Sequence, residues 1–228
     1  MSPPSTGRLV RSSDGISCTV STSGDLAFTG GGCYAVAYNG TNLWVAGGGG
    51  AHYIATSSDG ISWTGSTSGD EAFAGGACYA VAYNGTNLWV AGGSGAHKIA
   101  TSSDGISWTG STSGDEVFAG GYCRAVAYNG TNLWVAGGAH QIATSSDGIS
   151  WTGSTSGDLA FDGGGCSAVA YNKLSGPSGL WVFGGIVYSI PPEPTPTPVP
   201  PPVFFQQQVS SFNIFQTNFS GMGNIGEY

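Results

Sequence analysis

A unit of about 45 residues recurs along this chain, and this repeat constrains the fold more than any other feature of the sequence. The segment Ser-Ser-Asp-Gly-Ile-Ser occurs four times. Its aspartates are Asp14, Asp59, Asp104 and Asp147, spaced by 45, 45 and 43 residues. A cysteine recurs at the same spacings, at Cys33, Cys78, Cys123 and Cys166. Repeats of this length are typical of propeller blades and of solenoids.

One full unit, residues 78–122, predicts four antiparallel strands. Residues 79–83 alternate small and larger side chains, and Asn84-Gly85 supplies the positive φ angles of a tight hairpin turn. Residues 88–91, 98–102 and 106–109 are three further candidate strands, separated by turns that contain glycine. Four strands in about 45 residues is the content of a propeller blade.

The two incomplete units complement each other. Residues 8–20 match the second half of a unit, and residues 167–183 match the first half. Pairing of the two halves would complete a fourth blade and remove the exposed sheet edges of an open array. We therefore predict an all-β fold over residues 1–190, a small four-bladed β-propeller closed by its half-units. A right-handed solenoid is the alternative, and it would be expected to carry distinct capping repeats.

Composition agrees with strands and limits the partners. Only 8% of the residues are charged and 41 are glycine, a balance that disfavours helices. The net charge of −8 includes only five cations, so nucleic acid is not an expected partner. No apolar run approaches the roughly 20 residues of a membrane span, and residues 1–15 lack the apolar core of a secretory signal. We expect synthesis in the cytosol and no membrane span.

Each repeat also carries a motif with a known relative. The segment Thr-Ser-Ser-Asp-Gly-Ile-Ser-Trp, residues 56–63 and their copies, resembles the Asp-box hairpin of sialidase-type (BNR) propellers, although one residue is absent between Asp and Gly. The resemblance covers about eight residues in each unit, with Cys18 in place of Trp in the first. It implies a structural corner of a blade and no activity. The longer pattern Ala-Tyr-Asn-Gly-Thr-Asn-Leu-Trp-Val-Ala-Gly-Gly is similar to uncharacterised repeat proteins of bacteria and large DNA viruses.

The last part of the chain has a different composition. Eight of the twelve residues from Pro191 to Pro202 are proline, which predicts an extended polyproline spacer of about 37 Å. Residues 203–228 follow with a single charge, Glu227, and are too few to form a core of their own. We predict that this tail anchors the chain to a partner, although a disordered tail remains the alternative. Its candidate anchoring residues are Phe204, Phe205, Phe212, Phe215 and Phe219.

The sequence offers few groups for catalysis, so we expect no enzyme, cofactor or metal. A sialidase needs several arginines, and the chain has three, at Arg8, Arg11 and Arg124. The adjacent acids at residues 70–71 and 115–116 are interpreted as solvated loop residues, because glycosidases need two carboxyls that face each other. The box aspartates are expected to bond their own turns rather than calcium. The repeated cysteines are either small buried apolar residues, which we favour, or thiols that ring a channel and bind zinc.

Ligand specificity is expected where the units differ. The residue after the repeated cysteine is Tyr34, Tyr79, Arg124 or Ser167. The residue after a repeated histidine, which occurs at His52, His97 and His140, is Tyr53, Lys98 or Gln141. Our candidate ligand-binding residues are Tyr34, Tyr79, Arg124, Tyr53, Lys98 and Gln141. The repeated tryptophans are expected in the core, and the Asn-Gly-Thr sequons in turns.

These observations predict a non-enzymatic structural or interaction module. In this interpretation the tail docks on a larger protein assembly, and the stalk displays the propeller on the outside of a virus particle. A cytoplasmic, lectin-like protein that binds surface glycans is the alternative. An unrecognised hydrolase is a third possibility, for which the sequence offers no candidate pair of residues.

Overall fold

The structure is a computed structural model that describes residues 9–139, 141–161, 163–173 and 179–187. The chain divides into two units, Met1–Ile190 and Pro191–Tyr228. The proposed proline spacer and the five phenylalanines of the tail lie outside the described residues. Within the described ranges, no helix is long and apolar enough to cross a membrane.

The first unit of the chain is a series of antiparallel sheets separated by short helices. The N-terminal half-unit consists of β1 (Val10–Arg11), β2 (Thr19–Val20) and α1 (Thr22–Ala27). The first complete sheet consists of β3 (Cys33–Tyr38), β4 (Trp44–Gly48), β5 (Ile54–Ser57) and β6 (Thr64–Gly65), and α2 (Thr67–Ala72) follows it. The second consists of β7 (Ala77–Tyr83), β8 (Trp89–Ser94), β9 (Ile99–Ser102) and β10 (Thr109–Gly110), followed by α3 (Thr112–Val117).

The remaining sheets repeat this order. The third complete sheet consists of β11 (Cys123–Tyr128), β12 (Trp134–Gly138), β13 (Gln141–Ser145) and β14 (Thr152–Gly153), followed by α4 (Thr155–Ala160). The C-terminal half-unit is the hairpin β15 (Gly165–Asn172) and β16 (Leu180–Ile186). In each complete sheet the strands are hydrogen-bonded in sequence order. The prediction of an all-β, repeat-built fold with four strands in each unit is therefore confirmed.

The turns form through local side-chain contacts. Asn39 Oδ1 accepts the backbone N–H groups of Thr41, Asn42 and Leu43. Asp59 Oδ1 accepts the N–H groups of residues 61 and 62, and the hydroxyl of residue 57 donates to the same oxygen. The turn roles that the sequence predicts for the sequon asparagines and the box aspartates are confirmed.

The short helices were not predicted from the sequence. Each helix begins after a serine N-cap, and in α2 the side chain of Ser66 accepts the N–H of Gly69. Asp70 lies in the first turn, where a negative charge is favourable. The helix was missed because Gly69 lies inside it and the glycine-rich composition argues against helices. Gly69 is needed because a Cβ there would lie 2.7 Å from Ile54 Cβ.

The core lies between successive sheets. Val90 and Ile99 of the second sheet share a buried cluster with Phe118, which follows α3, and with Cys123 and Trp134 of the third sheet. Equivalent clusters lie between the first and second sheets and between the third sheet and the last hairpin. Large side chains that recur in every unit thus hold neighbouring sheets together, as expected for the tryptophans.

The predicted pairing of the two half-units is not found. In the described residues β1 and β2 form one two-stranded sheet, and β15 and β16 form another. Each half-unit is instead held by its neighbour in sequence. Ser21 Oγ, at the start of α1, donates to the carbonyl oxygen of Ile61, and β15 packs against β11. The repeat spacing identified the halves correctly, but it carries no information about the rotation between sheets on which ring closure depends.

Candidate binding site

The site begins with an irregularity in the first strand of each unit. Cys33 pairs with Gly48 and Ala35 pairs with Gly47, so Tyr34 is an extra residue between two consecutive pairs. The same register shift occurs between residues 78 and 80, 123 and 125, and 166 and 168. Such β-bulges reorient a side chain relative to the regular alternation of a strand. The bulged residues are Tyr34, Tyr79, Arg124 and Ser167.

These four bulged residues line one cavity. Its volume is about 450 Å³. The strands that carry them are neighbours in chain order, with β7 between β3 and β11, and β15 beside β11. Because residues of the first and the last of these strands reach the same cavity, the strands must converge on it. The structure therefore brings two of the candidate tyrosines together with the candidate arginine, and it adds Ser167.

Aromatic contacts hold the side chains of the site in place. The Tyr34 and Tyr79 ring centroids are 5.7 Å apart. The Arg124 guanidinium carbon lies 4.6 Å from the ring centroid of Tyr122 and 5.3 Å from that of Tyr79. A cation at this distance from aromatic rings is attracted to their faces. Arg124 is exposed, so its N–H groups remain available while the rings restrict its position.

The site offers groups for recognition. The guanidinium is a fork of N–H donors, and the hydroxyls of Tyr34 and Ser167 can donate and accept hydrogen bonds. Ser94 Oγ donates to Tyr79 Oη at 3.2 Å, which fixes that hydroxyl. One permanent cation beside aromatic rings suits a polar ligand with an apolar face or a negative group.

The second candidate set lies elsewhere. Gln141 lines a separate cavity of about 360 Å³ with Tyr122 and Ala139. Lys98 Nζ donates to the carbonyl oxygen of Gly95 at 2.7 Å. Tyr53 is partly buried against the cluster between the first two sheets. The structure thus separates the residues that follow the histidines from the cavity of the bulged residues.

Two histidine–aspartate pairs were missed in the sequence. His52 Nδ1 lies 2.7 Å from Asp70 Oδ2, and His97 Nδ1 lies 2.7 Å from Asp115 Oδ2. Asp70 Oδ1 also accepts the N–H of Tyr53. The interpretation of Asp70 and Asp115 as solvated loop acids is therefore wrong, because each lies in the first turn of a short helix and accepts the N–H of the residue just before the third strand of its unit. Equal spacing of the two pairs in sequence, 18 residues, was the signal that could have revealed them.

The repeated cysteines are packing residues. Cys78, Cys123 and Cys166 are fully buried, which confirms the favoured interpretation for these three, whereas Cys33 is half-buried against the first cluster. Each thiol is free, and the Sγ of Cys78 contacts the carbonyl oxygen of Ala80 at 3.5 Å. Burial raises the pKa of the Cys33 thiol to about 11. Across the described ranges, no three His, Cys, Asp or Glu side chains come close enough together to hold a metal ion.

The box aspartates are strongly stabilised as anions. Hydrogen bonds from the N–H groups of Ser150 and Ile149 lower the pKa of Asp147 to about 2. The corresponding N–H groups likewise hold the pKa of Asp59 well below its usual range. These carboxylates are therefore committed to their turns and are not free for proton transfer at neutral pH.

No family model, no curated protein and no solved structure matches this chain. The resemblance of the short Asp-box motif to sialidase-type propellers therefore stays a prediction.

Proposed function

We propose that this chain is a non-enzymatic interaction module of the propeller type, which binds its ligand in the cavity of the bulged residues. One observation carries the proposal. The bulged residues, which occupy one position of the repeat and differ between units, converge on one cavity, whereas the side chains that are the same in every unit lie mainly in the core or in turns. A repeat scaffold that brings variable side chains together at a shared cavity is suited to recognition.

Two features favour binding over catalysis. The cavity contains one cation and hydroxyl groups, but its lining includes no carboxylate, histidine or cysteine among the described residues. The histidine–aspartate pairs lie outside it and link a helix to a strand. A serine or tyrosine hydroxyl acts as a nucleophile or a base only when a neighbouring group takes up its proton, and the described lining holds no carboxylate or histidine for that role.

A glycan is the ligand that we consider first. Tyr34 and Tyr79 offer rings at the cavity, and Tyr122 supports the arginine beside them. Sugars present C–H faces that pack on aromatic rings and hydroxyls that pair with arginine and serine. Lectin-like glycan binding is therefore a specific form of this proposal, and a protein ligand is the more general form.

The test compares two variants that remove the same charge. Arg124→Ser introduces the residue that the fourth unit has at the same position, and Lys98→Gln introduces the residue found one unit after Lys98. Both substitutions are therefore compatible with the repeat. Binding to a panel of immobilised neutral and acidic glycans should fall at least about tenfold in Arg124→Ser and stay unchanged in Lys98→Gln. Equal binding by both variants would contradict a site at this cavity.

We further propose that the tail attaches the module to a larger protein assembly, such as the surface of a virus particle. The support is compositional, since five phenylalanines occur in residues 203–228 with one charge. A chain that ends at Ile190 should stay folded and soluble but should no longer co-sediment with particles from the producing cells. Retained co-sedimentation would contradict the anchoring role of the tail, and loss of folding would contradict an independent head.

A further inference from the structure

The last hairpin exposes apolar side chains whose equivalents in the other units are buried or half-buried. Val182 of β16 is 56% exposed, whereas its equivalents Val45 and Val90 are fully buried and Val135 is 2% exposed. Leu180, two residues earlier, is 55% exposed. The outer edge of β16 also has no strand paired to it among the described residues. A hydrophobic strand edge of this kind is a template for pairing.

The first half-unit exposes the complementary surface. Val10 of β1 is 51% exposed, whereas the equivalent Ala55, Ala100 and Ala143 are fully buried. Beside β1 lies a groove of about 480 Å³ that is lined by residues 9–13, Val36, Trp44, Asp59, Gly60 and Trp63. No described residue of β15 or β16 lines this groove.

The groove lies where other sheets receive a leucine. A Cβ at Gly105 would lie 2.6 Å from Leu43 Cδ2, and one at Gly148 would lie 2.6 Å from Leu88 Cδ2. These leucines come from the preceding sheet in each case. At the equivalent Gly60 the nearest atoms belong to Trp44 of the same sheet. The leucine that corresponds to Leu43 and Leu88 in the last unit is Leu180.

Hydrogen bonds between units show the same complementarity. Ser66 Oγ donates to the carbonyl oxygen of Ile106, and Ser111 Oγ donates to that of Ile149. Ser154, the N-cap of α4, is the equivalent serine in the last unit. Among the described side chains, its hydroxyl is within hydrogen-bond distance only of the Ser156 hydroxyl. The acceptor that corresponds to Ile106 and Ile149 in the first half-unit is the carbonyl of Ile16, a residue that is 85% exposed.

We propose that two copies of this chain associate head to tail, with β16 of one copy paired antiparallel to β1 of the next. The register follows from complete sheets, where Trp89 pairs with Ser102 and Val90 pairs with Thr101. It places Trp181 opposite Ser12, Val182 opposite Arg11, Phe183 opposite Val10 and Gly184 opposite Leu9. Each contact completes one four-stranded sheet and fills the groove with Leu180 and Val182.

The partner is a second copy because the two edges do not meet within one chain. In the described residues β15 packs against β11 and β12, whereas neither β15 nor β16 packs extensively against β1 or β3. The two edges are therefore preformed surfaces that match each other residue by residue. Such a contact is heterologous, so it gives a ring where the rotation closes and a longer array where it does not.

Cross-linking at the predicted register tests the proposal directly. In a Cys18→Ser background, one chain carries Arg11→Cys and a second carries Val182→Cys. Opposed strand residues have Cα atoms close enough for a disulfide. Mixing the two chains under mild oxidation should give a covalent dimer, and neither chain alone should give one. As the control, Leu159→Cys mixed with Arg11→Cys should give no dimer, because exposed Leu159 lies on α4 and not on the strand that is opposite Arg11 in the predicted register.

Two outcomes would overturn the proposal. One is the absence of the mixed disulfide although both variants are folded. The other is a chain with both substitutions, Arg11→Cys and Val182→Cys, that closes on itself at every dilution, which would mean that the edges pair within one molecule.

Sedimentation of the full chain gives an independent measure. The average mass of the unmodified chain should rise with concentration. Leu180→Glu should weaken association at least about a hundredfold, because it places a carboxylate in the filled groove beside Gly60 and the acidic Asp59. Leu159→Glu has the same change in charge and reproduces the residue at this position in two other units, Glu71 and Glu116, so it should associate normally. A monomer at all concentrations would overturn the proposal, as would loss of association on removal of residues 203–228, which would make the tail the contact.

Discussion

Gly92 and Cys123 face each other across the contact between two sheets, and a Cβ at Gly92 would lie 2.6 Å from Cys123 Sγ. Gly47 has the same relationship to Cys78, and Gly137 to Cys166. The repeated glycine and the repeated cysteine are therefore one packing unit: the missing side chain of one makes room for the sulfur of the other.

This relationship predicts how much a methyl group added at Gly92 destabilises the fold. Gly92→Ala should lower the free energy of unfolding by about 1–3 kcal/mol, because overpacking shifts the neighbouring sheet. Adding Cys123→Ala should recover part of that loss, since it removes the sulfur. Urea denaturation of both single variants and the double variant measures the coupling. Gly184→Ala is the control, because its Cβ would meet only Ala168 at 3.6 Å, an ordinary contact, and in the monomer it should be nearly neutral.

The histidine–aspartate pairs predict a second stability effect. Asp70→Ala removes the acceptor for His52 Nδ1 and for the N–H of Tyr53, so unfolding should become easier by about 1–3 kcal/mol. Glu71→Ala removes the same charge from the exposed neighbouring residue and should change the free energy of unfolding by less than about 0.5 kcal/mol. Urea denaturation at neutral pH compares the two. Equal effects would contradict a structural role for Asp70.

The sequence correctly predicted the structural features that form between residues close together in the chain. The turns at Asn39 and Asp59 form through atoms within a few residues, so their sequence motifs were sufficient. The bulge at Tyr34 could not be predicted, because it depends on the register with another strand. Variation between units was therefore sufficient to choose candidate residues. The finding that Tyr53 lies apart from Tyr34 depends on the arrangement of the sheets, which the sequence does not show.

The box aspartates predict how stability depends on pH. The pKa of Asp147 is about 2 in the folded chain, because the N–H groups of Ser150 and Ile149 bond its carboxylate, against about 3.9 for an unfolded aspartate. A lowered pKa stabilises the fold above pH 4, and this contribution is lost as the pH falls towards 2. Urea denaturation at several pH values should show this loss.

A pair of variants separates the box from general acid effects. Asp147→Asn should be less stable than the unmodified chain at pH 6 and should lose less stability between pH 4 and pH 2. Glu116→Gln is the control, because the side chain of Glu116 is exposed. Its pH dependence should match that of the unmodified chain. An unchanged pH profile in Asp147→Asn would contradict the proposed origin of the shift.

The tryptophans of the boxes predict a difference between units of nearly identical sequence. Trp108 Nε1 donates to the carbonyl oxygen of Gly105 at 3.2 Å, whereas the buried Trp63 Nε1 has no hydrogen-bond partner among the described residues. Replacement by phenylalanine removes similar apolar volume at both sites. At Trp108 the replacement also removes a hydrogen bond, whereas at Trp63 it removes an unsatisfied donor. Trp63→Phe should therefore lower the free energy of unfolding by about 1–2 kcal/mol less than Trp108→Phe does. Urea denaturation at a concentration where the chain is monomeric measures both, and equal costs would show that Trp63 Nε1 finds an acceptor in solution.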